Sequence, residues 1–117
     1  MAEYKHISVG CINDVCNVML LNNRIVEDGD IKGLGEELFS LVEKDGYTKI
    51  LLNFTNVQFL SSAALSKLIM LYKKIAVRKG VLKLCCLSSD IRELFDIMNL
   101  HKLFDIKETG ADALAAF

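Results

Sequence analysis

After about residue 29 the hydrophobic period of this chain switches repeatedly between helix and strand. Ile31, Leu34, Leu38, Leu41 and Val42 fall on one helical face. Lys49-Ile50-Leu51-Leu52-Asn53-Phe54 follows as a nearly continuous apolar run, the pattern of a strand covered on both faces. A second helix is expected from about Ser62 to Arg78, with Leu65, Leu68, Ile69, Tyr72, Ile75 and Ala76 along one face and Gly80 ending it. Val81 to Leu87 reads as the next buried strand. Ser88-Ser89-Asp90 caps a third helix carrying Ile91, Leu94, Phe95 and Met98 on one side. Leu103 to Ile106 is a last short strand, and Thr109 caps a final helix from Ala111 to Phe117. Strands that alternate with helices in this way require a largely parallel sheet.

The first 26 residues have a different character. Residues 4–12 alternate loosely as a strand, Asn13-Asp14 signals a turn, and Val15 to Leu21 is a second strand. Asn22-Asn23 marks another turn before a short strand at Arg24-Ile25-Val26, so these three are expected to form an antiparallel meander. Asp28 or Asp30 can cap the first helix and Gly46 can end it. Proline is absent, so the turns fall to Gly, Asn and Asp. The expected fold class is α/β: one domain over residues 1–117, in the order ββ(β)αβαβαβα, with a mixed, mainly parallel sheet and helices packed mainly on one side. A chain of 117 residues with 52% hydrophobic residues can build such a core without staples.

The net charge of −1 gives no electrostatic footprint for nucleic acid or an anionic membrane. Residues 1–58 carry 5 basic and 9 acidic side chains, and residues 59–117 carry 9 and 6. The basic excess gathers at Lys73, Lys74, Arg78, Lys79 and Lys83, read first as a solvated helix face and second as a docking patch. The longest uncharged stretch, Ile50 to Ser66, has 17 residues but contains Asn53, Thr55, Asn56, Gln58, Ser61 and Ser62, so it is no membrane span. The N-terminal MAEYKHISVG lacks a basic region followed by an apolar run, which leads to the expectation of a cytoplasmic protein without a signal peptide. Cys11, Cys16, Cys85 and Cys86 match no zinc or redox spacing and are expected to be small buried hydrophobes in a reduced protein.

No catalytic constellation is written in the sequence. Neither phosphate-binding glycine motif occurs, and Gly33-Leu34-Gly35 lies inside the first helix, where it suits close packing. His6 and His101 are isolated, and no catalytic residue, cofactor or metal site is expected. A phospho-receiver domain has a similar size and build. Its central strand must end in an acyl-phosphate-forming Asp, whereas this strand ends in Asn53-Phe54.

The informative segment is Asn53 to Ile69, NFTNVQFLSSAALSKLI. A central strand ends, an apolar turn Val57-Gln58-Phe59-Leu60 follows, and two serines open a helix. Ser62 falls in the first turn, near unpaired backbone N–H groups and the positive end of the dipole. Two readings stand side by side there. One is an ordinary serine cap, which local sequence favours; the other is an acceptor whose phosphate the helix end tolerates. Further along the helix, Ser66, Met70, Lys73 and Lys74 lie away from the core stripe, with Met70 either adaptable at a partner surface or covering a loop.

This pattern resembles the STAS domains of the bacterial anti-sigma factor antagonist family. Members carry a segment like V-x-F-hydrophobic-D-S-S-G-L-G at the start of the second helix, and this chain has Val57-Gln58-Phe59-Leu60-Ser61-Ser62-Ala63-Ala64-Leu65-Ser66. The strand KILLNF before it, and GVLKLCCL, IRELF, LHKLFDI and an alanine-rich end after it, extend the similarity over essentially the full chain. The resemblance implies that Ser62 is the phosphorylated serine. Ser61 stands where the family commonly has Asp, Ala63 replaces a second serine, Ala64 and Ser66 replace glycines, and Asn53 stands where an acid is common. It further implies a non-enzymatic regulator, monomeric or weakly dimeric. Its partner would be an anti-sigma factor/serine kinase with an ATP-binding domain, met through Ser61, Ser62, Ser66, Met70 and Lys73, with sigma-factor release controlled by the phosphate. The alternative is a non-phosphorylated STAS scaffold or an accessory subunit of a stress-sensing or transport complex.

Overall fold

A computed structural model describes residues 4–117. Its central sheet has five strands in the order β1 (Ile7–Ile12), β2 (Val15–Leu20), β4 (Lys49–Asn53), β6 (Val81–Cys85) and β7 (Asp105–Lys107). β1 and β2 form an antiparallel hairpin closed by Ile12 opposite Val15. Asn13 turns the hairpin with a φ of 58°, a value asparagine tolerates better than most residues. β2, β4, β6 and β7 then run parallel to one another. The mixed, mainly parallel sheet thus agrees with the alternation of periods in the sequence.

The helices divide unequally between the two faces. Leu34, Leu38 and Leu41 of α1 (Asp28–Glu43), Leu65, Leu68 and Leu71 of α2 (Ser62–Val77), and Ile91 and Phe95 of α3 (Ser89–Ile97) join Val18, Ile50, Leu52 and Leu84 in the main core. The opposite face is covered by α4 (Gly110–Ala115), whose Ala113 packs on Val15, Leu51 and Cys85. Ile50, Leu51 and Leu52 are all fully buried because strand pleating sends alternate side chains to these two cores.

Several local expectations are corrected. Arg24 and Ile25 do not extend the meander. They form β3, which pairs in parallel with Phe59 and Leu60 of β5 in a separate two-stranded sheet. Glu27, not Asp28 or Asp30, occupies the N-cap of α1 and makes no side-chain cap bond, while the two aspartates lie in the first turn and face its dipole. Ala76 and Met98 are exposed, whereas Leu71 is fully buried, so the core stripe of α2 is centred on Leu68. The last strand begins at Asp105, after a 3₁₀ turn at Leu100–Lys102. Lys83 belongs to no solvated face. Its β6 position points under α4, where it is 7% exposed, is paired with Asp105, and has the Phe117 ring 5.4 Å away. Cys16 and Cys85 are buried as expected, but Cys11 is exposed and Cys86 half-buried.

The glycines of α1 act by contact. A Cβ on Gly33 would stand 2.5 Å from His6 Nε2, and one on Gly35 would stand 3.1 Å from the Lys67 stem on α2. The end of α2 is a Schellman motif: Lys79 N–H donates to the Ala76 carbonyl and Gly80 N–H to that of Ile75, with Lys79 left-handed at φ 58°. Gly80 is required for a different reason, since a Cβ there would lie 2.2 Å from the Thr48 carbonyl oxygen.

Candidate functional site

The chain leaves the central strand at Asn53 through a stitched loop. The Asn53 side-chain oxygen accepts the Thr55 N–H at 2.8 Å and the Thr55 hydroxyl, an Asx-type turn. Val57 and Leu60 are buried and pin the loop from below. Gln58 and Phe59 donate their N–H groups to the Asn23 carbonyl, and Ser61 donates its own to Ile25 at 3.1 Å. The β3–β5 pair therefore fixes where α2 begins.

At that beginning the two serines have separate duties. Ser61 is the N-cap, with extended backbone, and its hydroxyl oxygen accepts the Ala64 N–H at 3.2 Å. Ser62 is the first helical residue and is exposed. The Leu65 N–H reaches the Ser61 carbonyl, so the amides of Ser62 and Ala63 are the ones without a helical acceptor. The first turn of α2 carries no acidic residue of its own. An added anion at the Ser62 hydroxyl would meet the N–H groups of Ser62 and Ala63 at the positive end of the dipole.

The five candidate partner-binding residues do not all share one surface. Ser62, Ser66, Met70 and Lys73 recur at helical spacing on the exposed face of α2, opposite Leu68. Ser66 donates its hydroxyl to the Ser62 carbonyl at 3.2 Å, which ties it to the helix. Met70 is 43% exposed and stands as an apolar point among polar neighbours. Ser61 is half-buried, with its hydroxyl oxygen committed to the cap. Lys74 turns away to Glu43 at 2.7 Å and to the Phe39 ring at 5.0 Å, bracing α2 on α1. That salt bridge and hydrogen bond hold the Glu43 carboxyl below its ordinary pKa.

Two further exposed apolar groups, one on α2 and one on β5 just before it, are not singled out by the helical pattern. Val77, 84% exposed, continues the stripe one turn beyond Lys73. Phe59 of β5, 49% exposed, lies under the Arg24 guanidinium, which stands 4.6 Å from its ring centre. Their signal was present in part: Val77 is four residues after Lys73, and Phe59 stands beside the buried Leu60, so in an extended pair it points to the opposite face. Among the described residues no group of three His, Cys, Asp or Glu side chains could hold a metal ion, and no helix is long and apolar enough to cross a membrane.

The model of the STAS domain matches residues 28–113. This chain belongs to the STAS domain family. The match runs from the first residue of α1 to Ala113 on α4 and includes the whole α2 surface. In sequence this STAS domain is 29% identical over 93 residues to BtrV of Bordetella bronchiseptica, a protein named as an anti-sigma factor antagonist, covering 80% of this chain and 79% of BtrV. In structure it is similar to an anti-sigma factor antagonist of Thermotoga maritima, with a TM-score of 0.83, 21% identity and coverage of 94% and 92% of the two chains. It is also similar to the Bacillus cell fate determinant SpoIIAA in its phosphorylated form, with a TM-score of 0.71, 14% identity and coverage of 94% and 97%. These two structures share the fold of this STAS domain.

Proposed function

We propose that this STAS domain is a cytoplasmic anti-sigma factor antagonist. In this reading it binds an anti-sigma factor/serine kinase with an ATP-binding domain, frees the sigma factor held by that partner, and is reset by phosphorylation of Ser62. The observation that carries the reading is the division of labour between the serines: Ser61 caps α2, which leaves the Ser62 hydroxyl outside the cap at an exposed helix start. Serine and aspartate are equivalent caps. Ser61 in place of the family aspartate therefore keeps the geometry of the turn and removes one negative charge beside the acceptor.

The docking surface in this reading is the stripe Ser62, Ser66, Met70 and Lys73, widened by Val77 and Phe59. Unphosphorylated, it offers apolar points flanked by a cation. A phosphate on Ser62 adds about −2 charge at its edge. The free protein accommodates that charge with the Ser62 and Ala63 amides, whereas a partner packed over the helix start must desolvate it, so the complex is weakened more than the fold. The domain itself supplies an acceptor hydroxyl and a binding face, with no catalytic residue.

The test is labelling by the partner kinase with phosphosite mapping, joined to calorimetry with the same partner. Ser62→Ala is expected to bind and remain unlabelled, Ser62→Asp to bind at least tenfold more weakly, and Ser61→Ala to keep the label. Label on Ser61, or undiminished label in Ser62→Ala, sinks the assignment. Binding to a competent kinase with no label at all supports a non-phosphorylated scaffold instead.

A further inference from the structure

Neighbouring residues of a strand send their side chains to opposite faces, so adjacent cysteines at the end of a strand should hold their thiols apart. Cys85 and Cys86 do the reverse. Cys85 is the last residue of β6 and lies in the small core beneath α4, fully buried with Val15, Leu51 and Ala113. Cys86 leaves the strand with a φ of 63°, in the left-handed region that a side chain other than that of glycine or asparagine rarely adopts. Among the described residues, the other non-glycine positions with positive φ are Asn13 at a hairpin turn and Lys79 and Asn99 just past the ends of α2 and α3, all turn positions. At Cys86 the left-handed step swings the second thiol back over the first, and the two sulfurs stand 3.5 Å apart. Strained backbone that brings two reactive groups together is a signature of a working site.

We propose that Cys85 and Cys86 form a peroxide-oxidisable dithiol, a modification site that closes reversibly to a disulfide between adjacent residues. Cys86 is the half-buried, reachable thiol, and Cys85 is the enclosed one, whose burial first, and the Cys86 contact second, push its pKa up to about 12. The Cys86 thiolate attacks one oxygen of hydrogen peroxide. An S–O bond forms, the O–O bond breaks, and hydroxide leaves to be protonated to water. The Cys85 sulfur then attacks the resulting sulfenic sulfur. The S–S bond forms, the S–O bond breaks, and the departing hydroxide takes the Cys85 proton as a second water. The two sulfurs together lose two electrons and the peroxide gains them.

Adjacent α-carbons are about 3.8 Å apart, below the roughly 4.4–6.8 Å usual across a disulfide. The closed form is therefore strained and easily reduced, which suits a sensor and not a staple. The site is wired to two loops. The Cys85 carbonyl accepts the Phe54 N–H at 3.0 Å, at the start of the loop that leads to Ser61, and the Cys86 N–H donates to the Glu108 carbonyl at 3.3 Å, just before α4. Turning the peptide between them to close the ring acts on both bonds.

The experiment exposes the folded, reduced protein to a small excess of hydrogen peroxide, blocks remaining thiols with N-ethylmaleimide under denaturing conditions, and maps tryptic peptides by mass. Peptide Leu84–Arg92 holds Cys85 and Cys86, and peptide His6–Arg24 holds Cys11 and Cys16, so the two pairs are read separately. Leu84–Arg92 is expected to lose two hydrogens and both maleimide labels, and to recover them after dithiothreitol. In Cys86→Ser, which alters only the half-buried member, Cys85 is expected to keep its label through the same exposure. Closure in His6–Arg24 with none in Leu84–Arg92, stable sulfinic acid on Cys86, full labelling of both cysteines after exposure, or loss of the Cys85 label in Cys86→Ser each overturns the proposal.

Discussion

Ser61 and Ser62 differ by one position and by everything that matters for stability. Ser61 loses a cap bond when truncated, so Ser61→Ala should cost about 1 kcal/mol, while Ser62→Ala should stay within about 0.5 kcal/mol in the same urea titration. Equal losses would mean that the cap is shared. The Lys83–Asp105 pair is asymmetric in another way, since the lysine side chain is 8% exposed and the aspartate 42%. Asp105→Asn takes the opposite charge away from a buried ammonium, and should cost about 1–3 kcal/mol. Lys83→Met removes the buried charge and leaves a solvated carboxylate, so it should change stability by less than about 1 kcal/mol. The hydrogen bond from Lys83 first, and that from Lys107 with the two charges, hold the Asp105 carboxyl below its ordinary pKa against the opposing effect of burial. The unfolded chain therefore takes up the proton first. The stabilisation is complete above the ordinary aspartate value of about 3.9 and is lost as pH falls below it through the lower folded value. Asp105→Asn should flatten this part of the acid limb in a series of urea midpoints, and an unchanged slope would contradict the pairing.

At the scale of elements, α2 is a two-faced rod whose faces serve different purposes. Leu68 lies at the centre of its buried face, and Leu68→Ala should cost about 2–5 kcal/mol. Ile69 is only half-buried and should cost less, and Lys73→Ala on the exposed stripe should change stability by under about 0.5 kcal/mol. The same denaturation series checks all three, and a Lys73 effect as large as that of Leu68 would reverse the faces. Sequence periodicity located this helix to within one residue at its end. It misplaced the stripe toward Ala76 and away from Leu71, because a tyrosine and two β-branched isoleucines drew the apolar centre to one side. Strands β3 and β5 were illegible for a plainer reason. Each has two residues, and each is defined by a partner about 35 positions away, which no local period encodes. The start of α2 at Ser62, on which the candidate site is built, was legible in the sequence. The exposure of Phe59, which follows from the β3–β5 pairing, and the capping role of Ser61, which only backbone geometry reveals, were not.

At the scale of the molecule, one sheet separates two cores of very different size. The face under α1, α2 and α3 holds most of the large buried side chains, including Phe54, Phe95, Leu38 and Leu68. The face under α4 holds Val15, Leu51, Cys85 and Ala113, with Leu114 and Phe117 at its margin. The helix covering it is six residues long, too short to persist without its contacts, and its capping bond from Asp112 N–H to the Thr109 hydroxyl is exposed. Losing α4 therefore uncovers little apolar area, whereas separating β4 from β6 requires opening both cores. Stability in this fold should be correspondingly uneven. In native-state hydrogen exchange, the amides of α4 should open at a free energy well below that of global unfolding. Those of Leu51 in β4 and Leu84 in β6 should exchange only with the whole molecule. Ala113→Asp, which puts a charge into the small core, should lower the opening energy of α4 and the stability of the pair beneath it, while the exchange of α2 shifts only with the global term. If α4 amides instead exchange together with β4, the two cores form one cooperative unit, and the second face contributes more to the fold than its few side chains indicate.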